Sequence, residues 1–336
     1  MRQVSWDLLV AILTAFTVDH HSDDCCKHDF RVMYQSLFDD RGLSLDRLRS
    51  LLEICDAGSI AEAAPGDPIR QSQYSRQVRE LSEFFGAKLG RRQGKLLKLT
   101  DEGMRLAELV REHLRSLQDF RAECRADSSD YLIAAGDSLL QWLVIPRLGT
   151  LIKGQKAIRF VTDSLRTHEI IRQLGNGRID VGVVRKNAVG SGLVMRSLGM
   201  VAYCVIVPRQ LITSGLRPAL RDILGNAPMA IQTTDGEFTR RLRETTVSLG
   251  IAFRPALSCQ SFPQAASAVK SGRFASVLPK LAASDFPNKG FVCVEDTLLD
   301  RLNREIVLAW NPRIARVRPG AAHLLEQMQR HFSFGA

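Results

Sequence analysis

Between Arg70 and Arg79 the chain carries Arg70, Gln71, Ser72, Gln73, Ser75, Arg76, Gln77 and Arg79. These side chains share one chemistry, hydrogen bonding to base edges and phosphate oxygens. Arg spans guanine O6 and N7, Gln spans adenine N6 and N7, and Ser and Arg hold phosphates. A solvated helix face is polar too, but it usually mixes the signs of its charge. From Pro68 to Thr100 eight basic residues stand against two acids, Glu80 and Glu83. Arg91, Arg92 and Lys95, around Gln93-Gly94, read as a hairpin turn between two short strands, a basic wing suited to phosphates.

These groups need a rigid support, and the flanking sequence supplies one. A short helical run, Ile60 to Ala64, is broken by Pro65-Gly66-Asp67-Pro68 and resumes as a helix from Arg70 to Phe85. Pro68 suits the first turn of that helix or the approach to it, where its fixed φ and missing N–H cost least. Tyr74, Val78, Leu81 and Phe85 repeat at helical spacing and are expected to face inward. The polar residues then divide between the flanks and the outer face. Upstream, Ser44 can cap a helix whose Leu45, Leu48, Leu51, Leu52 and Cys55 line one side until Gly58 ends it.

The segment from Ala57 to Gly103 resembles the winged helix-turn-helix of the LysR-type bacterial transcriptional regulators. The residues that carry the resemblance are Ala57-Gly58-Ser59, Ala63-Ala64, Ser72, Ser75-Arg76-Gln77, Phe85-Gly86, Leu89 with Arg92, and Leu99-Thr100-Asp101-Glu102-Gly103. Three departures stand out. Pro65-Gly66-Asp67-Pro68 replaces the more usual basic pair and inward Leu, Ser82 a usual Glu, and Gly90 an aromatic that often plugs the wing. The resemblance implies double-stranded DNA as a partner, a homodimer or homotetramer, contact with RNA polymerase, and a cytoplasmic protein with no membrane partner. Arg70, Arg76, Arg91, Arg92 and Lys95 are expected to hold phosphates, and Gln71, Gln73 and Arg76 to read bases with Ser72 in support.

After Thr100, which can cap, a long helix is expected to about Arg125. Leu106, Val110, Leu114, Leu117 and Phe120 form its apolar stripe. A helix packed on its own domain would show such a stripe as well; the resemblance implies that this linker helix pairs with its twin in a dimer.

From Tyr131 the pattern changes to alternating strands and helices, an α/β region expected to hold mostly parallel sheets. The chain is thus α/β overall, with an N-terminal all-α winged helix-turn-helix. The resemblance continues here, implying an effector-binding domain with the two lobes of periplasmic solute-binding proteins. The divisions expected are an atypical extension at 1–43, the DNA-binding domain at 44–100, the linker at 101–125 and the effector domain at 130–336. Lobe one would take about 130–199 and 291–336, and lobe two about 200–290. A small-molecule effector is expected where strand ends meet helix starts. The candidate contacts are Ser138 and Leu139 after the first strand, Thr162 after the second, Gln232 and Thr233 in lobe two, and Phe262 and Gln264 at a further helix start. Hydroxyls at such places also serve simply as helix caps.

The 336 residues carry a net charge of +10. Residues 130–336 hold 27 basic against 15 acidic residues, which favours an anionic effector such as a carboxylate, although a solvated surface explains the excess as well. The apolar run Val4 to Val18 contains Asp7 and has one basic residue before it, so it is not read as a signal peptide, and it is too short to span a bilayer. His20, His21, Asp23, Asp24, Cys25, Cys26 and His28 lack a familiar ligand spacing, and no metal or cofactor is expected. Met33 is the expected true start, residues 1–32 being dispensable or absent. No G-x-S-x-G, H-E-x-x-H, P-loop or G-x-G-x-x-G motif occurs, so no catalytic residues are expected. The alternatives are a solute-binding protein without DNA function, which leaves the helix-turn-helix unexplained, and an enzyme on a two-lobed scaffold.

Overall fold

The computed structural model describes residue 37 and residues 41–335, except 94, 95, 126, 127, 153–157, 213–218, 234, 235, 252 and 319. The expectations placed on residues 1–32 and on Lys95 therefore lie outside the described residues. The chain divides into two compact units, Met1–Ala107 and Glu108–Ala336.

In the first unit each helix has its stop and start signals in place. Helix α1, Leu45–Ala57, is capped by the Ser44 side chain and ends at Gly58, whose φ of 92° is a left-handed conformation that glycine adopts without steric cost. In α2, Ile60–Ala63, the Ser59 hydroxyl accepts from the Glu62 N–H, capping the helix start, and donates to the Glu62 carboxylate. The Asp67 side chain accepts from the Arg70 N–H to start α3, Pro68–Phe85, with Pro68 in its first turn as expected. Strands β1, Gly90–Gln93, and β2, Leu96–Leu99, pair antiparallel. Leu51, Ile54, Ile60, Tyr74, Val78, Leu81 and Leu89 form the core of this unit. Leu45 and Phe85, expected inside, are 67% and 38% exposed, while Ile54 is fully buried in the core.

The three sequence departures are absorbed locally. Ser82 Oγ donates to the Val78 carbonyl and accepts from the Leu89 N–H, tying the end of α3 to the chain entering the wing. At Gly90 a Cβ would lie 3.0 Å from both Leu97 and Val78, so those two side chains fill the space that an aromatic would otherwise occupy. In the turn between α2 and α3, the Gln71 amide donates to the Ala64 carbonyl at 2.8 Å.

Helix α4, Asp101–Cys124, begins in the first unit and its later residues belong to the second. The second unit continues with β3, Ser129–Ala135; α5, Ile145–Ile152, entered through a π-helical turn at Leu140–Val144; β4, Ile158–Ser164; α6, Thr167–Gly175; β5, Val181–Arg185; and β6, Val194–Val201. Then come β7, Tyr203–Pro208; α7, Leu220–Asn226; β8, Ala230–Gln232; α8, Gly236–Ser248; β9, Leu257–Cys259; α9, Phe262–Lys270; β10, Ser276–Pro279; β11, Phe291–Val294; β12, Arg304–Trp310; and α10, Ala321–Phe332.

One lobe is a five-stranded sheet in the order β4-β3-β5-β12-β6. Its residues alternate between two buried faces. Ile133, Val183, Ile306 and Leu308 join a large core with α5 and α10, while Ala134, Val184, Val307 and Ala309 pack with Ile170 and Leu174 of α6. The other lobe holds β10-β7-β11 and β8-β9, with Phe238 and Phe262 stacked edge to face at 4.9 Å between its helices.

The expectation of mostly parallel sheets is corrected. β3 is parallel to β4 and β5, and β8 to β9, but β12 is antiparallel to both its neighbours and β7 to both of its own. Strands buried on both faces read as continuous apolar runs whatever their direction, so composition does not reveal it. Phe291–Val294 was also expected in lobe one. It pairs with β7, so the second passage between lobes falls between Val294 and Arg304.

Candidate DNA interface and interlobe cleft

Along α3, Ser72, Gln73, Ser75, Arg76 and Arg79 are exposed. Ser72, Gln73 and Arg76 lie with Pro68 and Ile69 around one shallow depression. Two residues expected on this surface are elsewhere. Gln77 is 8% exposed, one helical turn after Tyr74 and next to Val78 on the inward side, and Gln71 is half-buried with its amide on the Ala64 carbonyl. The 3.6-residue period puts 74, 77, 78 and 81 on one face, so a polar residue at 77 is carried inward with its apolar neighbours.

Arg70 is exposed but held. Its Nη2 lies 3.3 Å from Glu53 Oε2, its guanidinium carbon 5.4 Å from the centroid of the Tyr74 ring, and the Tyr74 hydroxyl donates to Glu53. Burial, and then the Glu53 carboxylate, push the Tyr74 phenol above its ordinary pKa. Glu80 accepts from Arg47 Nε at 2.6 Å, which holds its carboxyl below the ordinary range, and lies 3.7 Å from Arg76; Glu83 lies 3.8 Å from Arg79. The acids of α3 thus sit on the flank of the helix beside its cations. Arg91 and Arg92 on β1 are exposed.

In the second unit a cavity of about 1050 Å³ opens between the two lobes, a volume fit for a small organic molecule. Gly136, Asp137 and Ser138 after β3, Ser164 at the end of β4 with Leu165 to His168 after it, and Arg185 at the end of β5 line one side. Gln232, Glu237, Gln260, Ser261 and Phe262 line the other. Helices α6, α8 and α9 all start at this cavity, and their N-termini favour negative charge. Arg185 Nη1 and Glu237 Oε2 are 2.8 Å apart across the lobes, and the Ser164 hydroxyl donates to Asp137. Below lies a smaller chamber of about 130 Å³ with Leu139, Tyr203 and the buried Arg304 on its walls.

Of the expected effector contacts, Ser138, Gln232 and Phe262 line the larger cavity and Leu139 the smaller one. Three do not. Thr162 is exposed on β4, because the ladder with β3 runs on to Ser164 and delivers that residue to the cavity instead. Thr233 is exposed, with its N–H and hydroxyl both on the Cys259 carbonyl. Gln264 closes the α9 start, its Oε1 accepting from the Gln260 N–H while its own N–H reaches Ser261 Oγ. Arg166, Thr167, His168, Arg185 and Glu237 were missed. The signal was available in Asp163-Ser164-Leu165-Arg166-Thr167, where either hydroxyl could start the helix.

Residues 45–104 match the model of the bacterial regulatory helix-turn-helix protein, lysR family, and residues 127–333 that of the LysR substrate binding domain. The chain belongs to the LysR family. It is a LysR-type transcriptional regulator with a helix-turn-helix DNA-binding domain and a two-lobed α/β substrate-binding domain. The probable nitrogen assimilation transcriptional activator of Synechococcus elongatus is 25% identical over 277 residues, covering 79% of this chain and 88% of that protein. ArgP from Mycobacterium tuberculosis superposes with a TM-score of 0.62 at 17% identity, over 87% of this chain and 98% of that one. Full-length CbnR, solved in complex with its target DNA, gives 0.54 at 19% identity, over 86% and 100%. These two likenesses show a shared fold.

In this LysR-type regulator the stripe expected on the linker helix divides. Leu106 packs into the core of the first unit, Val110 is 7% exposed and Leu114 is half-buried. Leu117 and Phe120 remain 62% and 64% exposed, and Leu109, 49% exposed, and the exposed His113 continue their line at spacings of four, four and three. An amphipathic helix packed against its own protein turns its densest apolar rows inward, so the free stripe is the adjoining row. Among the described residues no helix is long and apolar enough to cross a membrane, and no group of three or more potential ligands could hold a metal ion.

Proposed function

We propose that the outer face of α3 enters the major groove of duplex DNA, with Ser72, Gln73 and Arg76 toward the bases and Arg70, Arg79, Arg91, Arg92 and Lys95 toward phosphates. The observation that supports this is the exposed depression formed by Ser72, Gln73 and Arg76 on a basic helix beside a basic strand. The effector is a small molecule bearing a carboxylate, bound between the lobes. Three helix starts and the cation of Arg166 favour its negative end, while Asp137 and Glu237 make the cavity unsuited to a polyanion. Effector binding changes the balance between lobe arrangements only by its own differential affinity for them.

The stripe Leu109, His113, Leu117 and Phe120 pairs with a second copy, since one helix-turn-helix selects a site weakly and a dimer reads two half-sites. The protein acts in the cytoplasm on RNA polymerase at promoters and catalyses no reaction. The test is a fluorescence-anisotropy titration of the full chain on DNA from upstream of its own gene, against scrambled DNA, at two salt concentrations. Tighter and salt-sensitive binding to the upstream DNA is expected. Equal, weak binding to both would overturn site-specific recognition there.

A further inference from the structure

Ile69 is 83% exposed, the most exposed of the large apolar side chains among the described residues. It occupies the second position of α3, and it is not at the edge of the polar surface but within it: Ile69, Ser72, Gln73 and Arg76 follow one another at spacings of three, one and three, a single face, and line the same depression. The residues around it exclude an ordinary packing role. Tyr74, Val78 and Leu81 fill the core on the opposite side of the helix, and Ile69 does not join that cluster. Leaving an isoleucine in water forgoes the favourable free energy of burying it. Something apolar must repay that when the face is covered.

In a major groove the only methyl group on an unmodified base edge is the C5-methyl of thymine, and recognition helices contact bases from their N-terminal residues. We infer that Ile69 is a specificity-determining residue that packs on a thymine methyl in each half-site, beside the bases met by Gln73 and Arg76. This rests on the reading of the α3 outer face as the base-facing surface. A methyl contact carries no directional hydrogen bond, so Ile69 distinguishes thymine from cytosine and from a thymine stripped of its methyl, but leaves phosphate contacts untouched.

The test selects binding sites for the full chain from a random duplex library, then remakes the best site with each thymine in turn replaced by deoxyuridine, which pairs identically but lacks the methyl. At one symmetric position the replacement should weaken the unmodified protein about three- to tenfold, the worth of a buried methyl-sized contact. Ile69→Ala should bind the thymine site less well by a similar factor and be indifferent to deoxyuridine at that position, with Ile69→Val intermediate. Ile69 is exposed, so both variants should melt with the parent protein. Deoxyuridine effects that are equal in parent and variant, or absent at every position, would overturn the assignment of Ile69 alone. A library from which the parent protein enriches no sequence would overturn the base-facing reading and the inference with it.

Discussion

Arg185 Nη1 lies 2.8 Å from Glu237 Oε2, joining the last residue of β5 in one lobe to the first turn of α8 in the other. The second oxygen of the same carboxylate lies 2.7 Å from Arg241 Nη2. One acid therefore holds two guanidiniums at the mouth of the cavity, one of them from across it. Glu237→Gln keeps the shape and removes the charge. Because all three groups are a quarter to a third exposed, the loss should be modest, about 1 kcal/mol or a fall of about 2–4 °C in melting temperature. Amide exchange should quicken at the end of β5 and the start of α8. Unchanged exchange there would show that this pair does not hold the lobes together.

Gln73 and Gln77 differ by one helical turn and have different surroundings. Gln73→Ala should cost about 1–3 kcal/mol on the cognate site and little on random DNA. Gln77→Ala should change stability by less than about 1 kcal/mol, since among the described residues the buried Gln77 Oε1 accepts no hydrogen bond that would be lost, while leaving the preference between sites as it was. Binding titrations on both DNAs, with a denaturant melt of each variant, separate the two outcomes.

Gly103 lies in the first turn of α4, where alanine would ordinarily stabilise a helix by about 1 kcal/mol. Here a Cβ would stand 2.3 Å from the Leu89 carbonyl oxygen, which is backbone and cannot rotate away. The Leu89 carbonyl also accepts from the Thr100 N–H, fixing its position. Gly103→Ala should therefore destabilise the first unit by about 1–3 kcal/mol, the usual cost of overpacking. A neutral or stabilising result in a denaturant melt would show that the wing and α4 can move apart.

Arg318 is 3% exposed and sits at the centre of a buried charge cluster. Its Nε is 2.6 Å from Asp119 Oδ2 on α4, its Nη1 is 3.1 Å from Asp180 Oδ1, and its guanidinium carbon is 3.8 Å from the centroid of the Tyr131 ring. Asp180 also takes Arg115 of α4 at 2.7 Å and the Leu132 N–H at 2.8 Å. Arg318→Met would leave Asp119 and Asp180 short of one cation in a buried place, at a cost of about 3–5 kcal/mol. Pairing that change with Asp119→Leu should recover part of the loss, because fewer buried charges are then left uncompensated. Additive losses in the double variant would argue against direct coupling of the two residues.

Glu169, in the first turn of α6, accepts from Arg172 and Gln173, and these contacts lower its carboxyl from 4.5 to about 2. A carboxyl depressed in the folded state contributes stability that is complete above its unfolded value of 4.5 and is lost as pH falls through about 2. Glu169→Gln removes that contribution. The stability difference between the parent protein and the variant should be constant near neutrality and shrink below pH 4.5. Denaturant melts at a series of pH values between neutrality and 3 check this, and a difference that does not vary with pH would count against the pairing.

The sequence by itself determined the local elements and their chemistry. Ser44 and Thr100 are caps wherever their helices pack, Pro68 can enter α3 only near its start, and the apolar periods of 74-78-81 and of the doubly buried strands follow from the chain alone. Those properties depend on residues within a turn or two of each other. Tertiary structure decided which polar groups are free. It turned Gln77 inward, put the Gln71 amide on the Ala64 carbonyl, carried β4 on to Ser164 so that Thr162 missed the cavity, and placed β11 with β7. It also set Arg185 against Glu237, 52 residues apart. Strand direction, the side of a helix that remains free, and pairs of charges brought together across lobes depend on distant segments meeting, and no local pattern of residue types encodes that meeting.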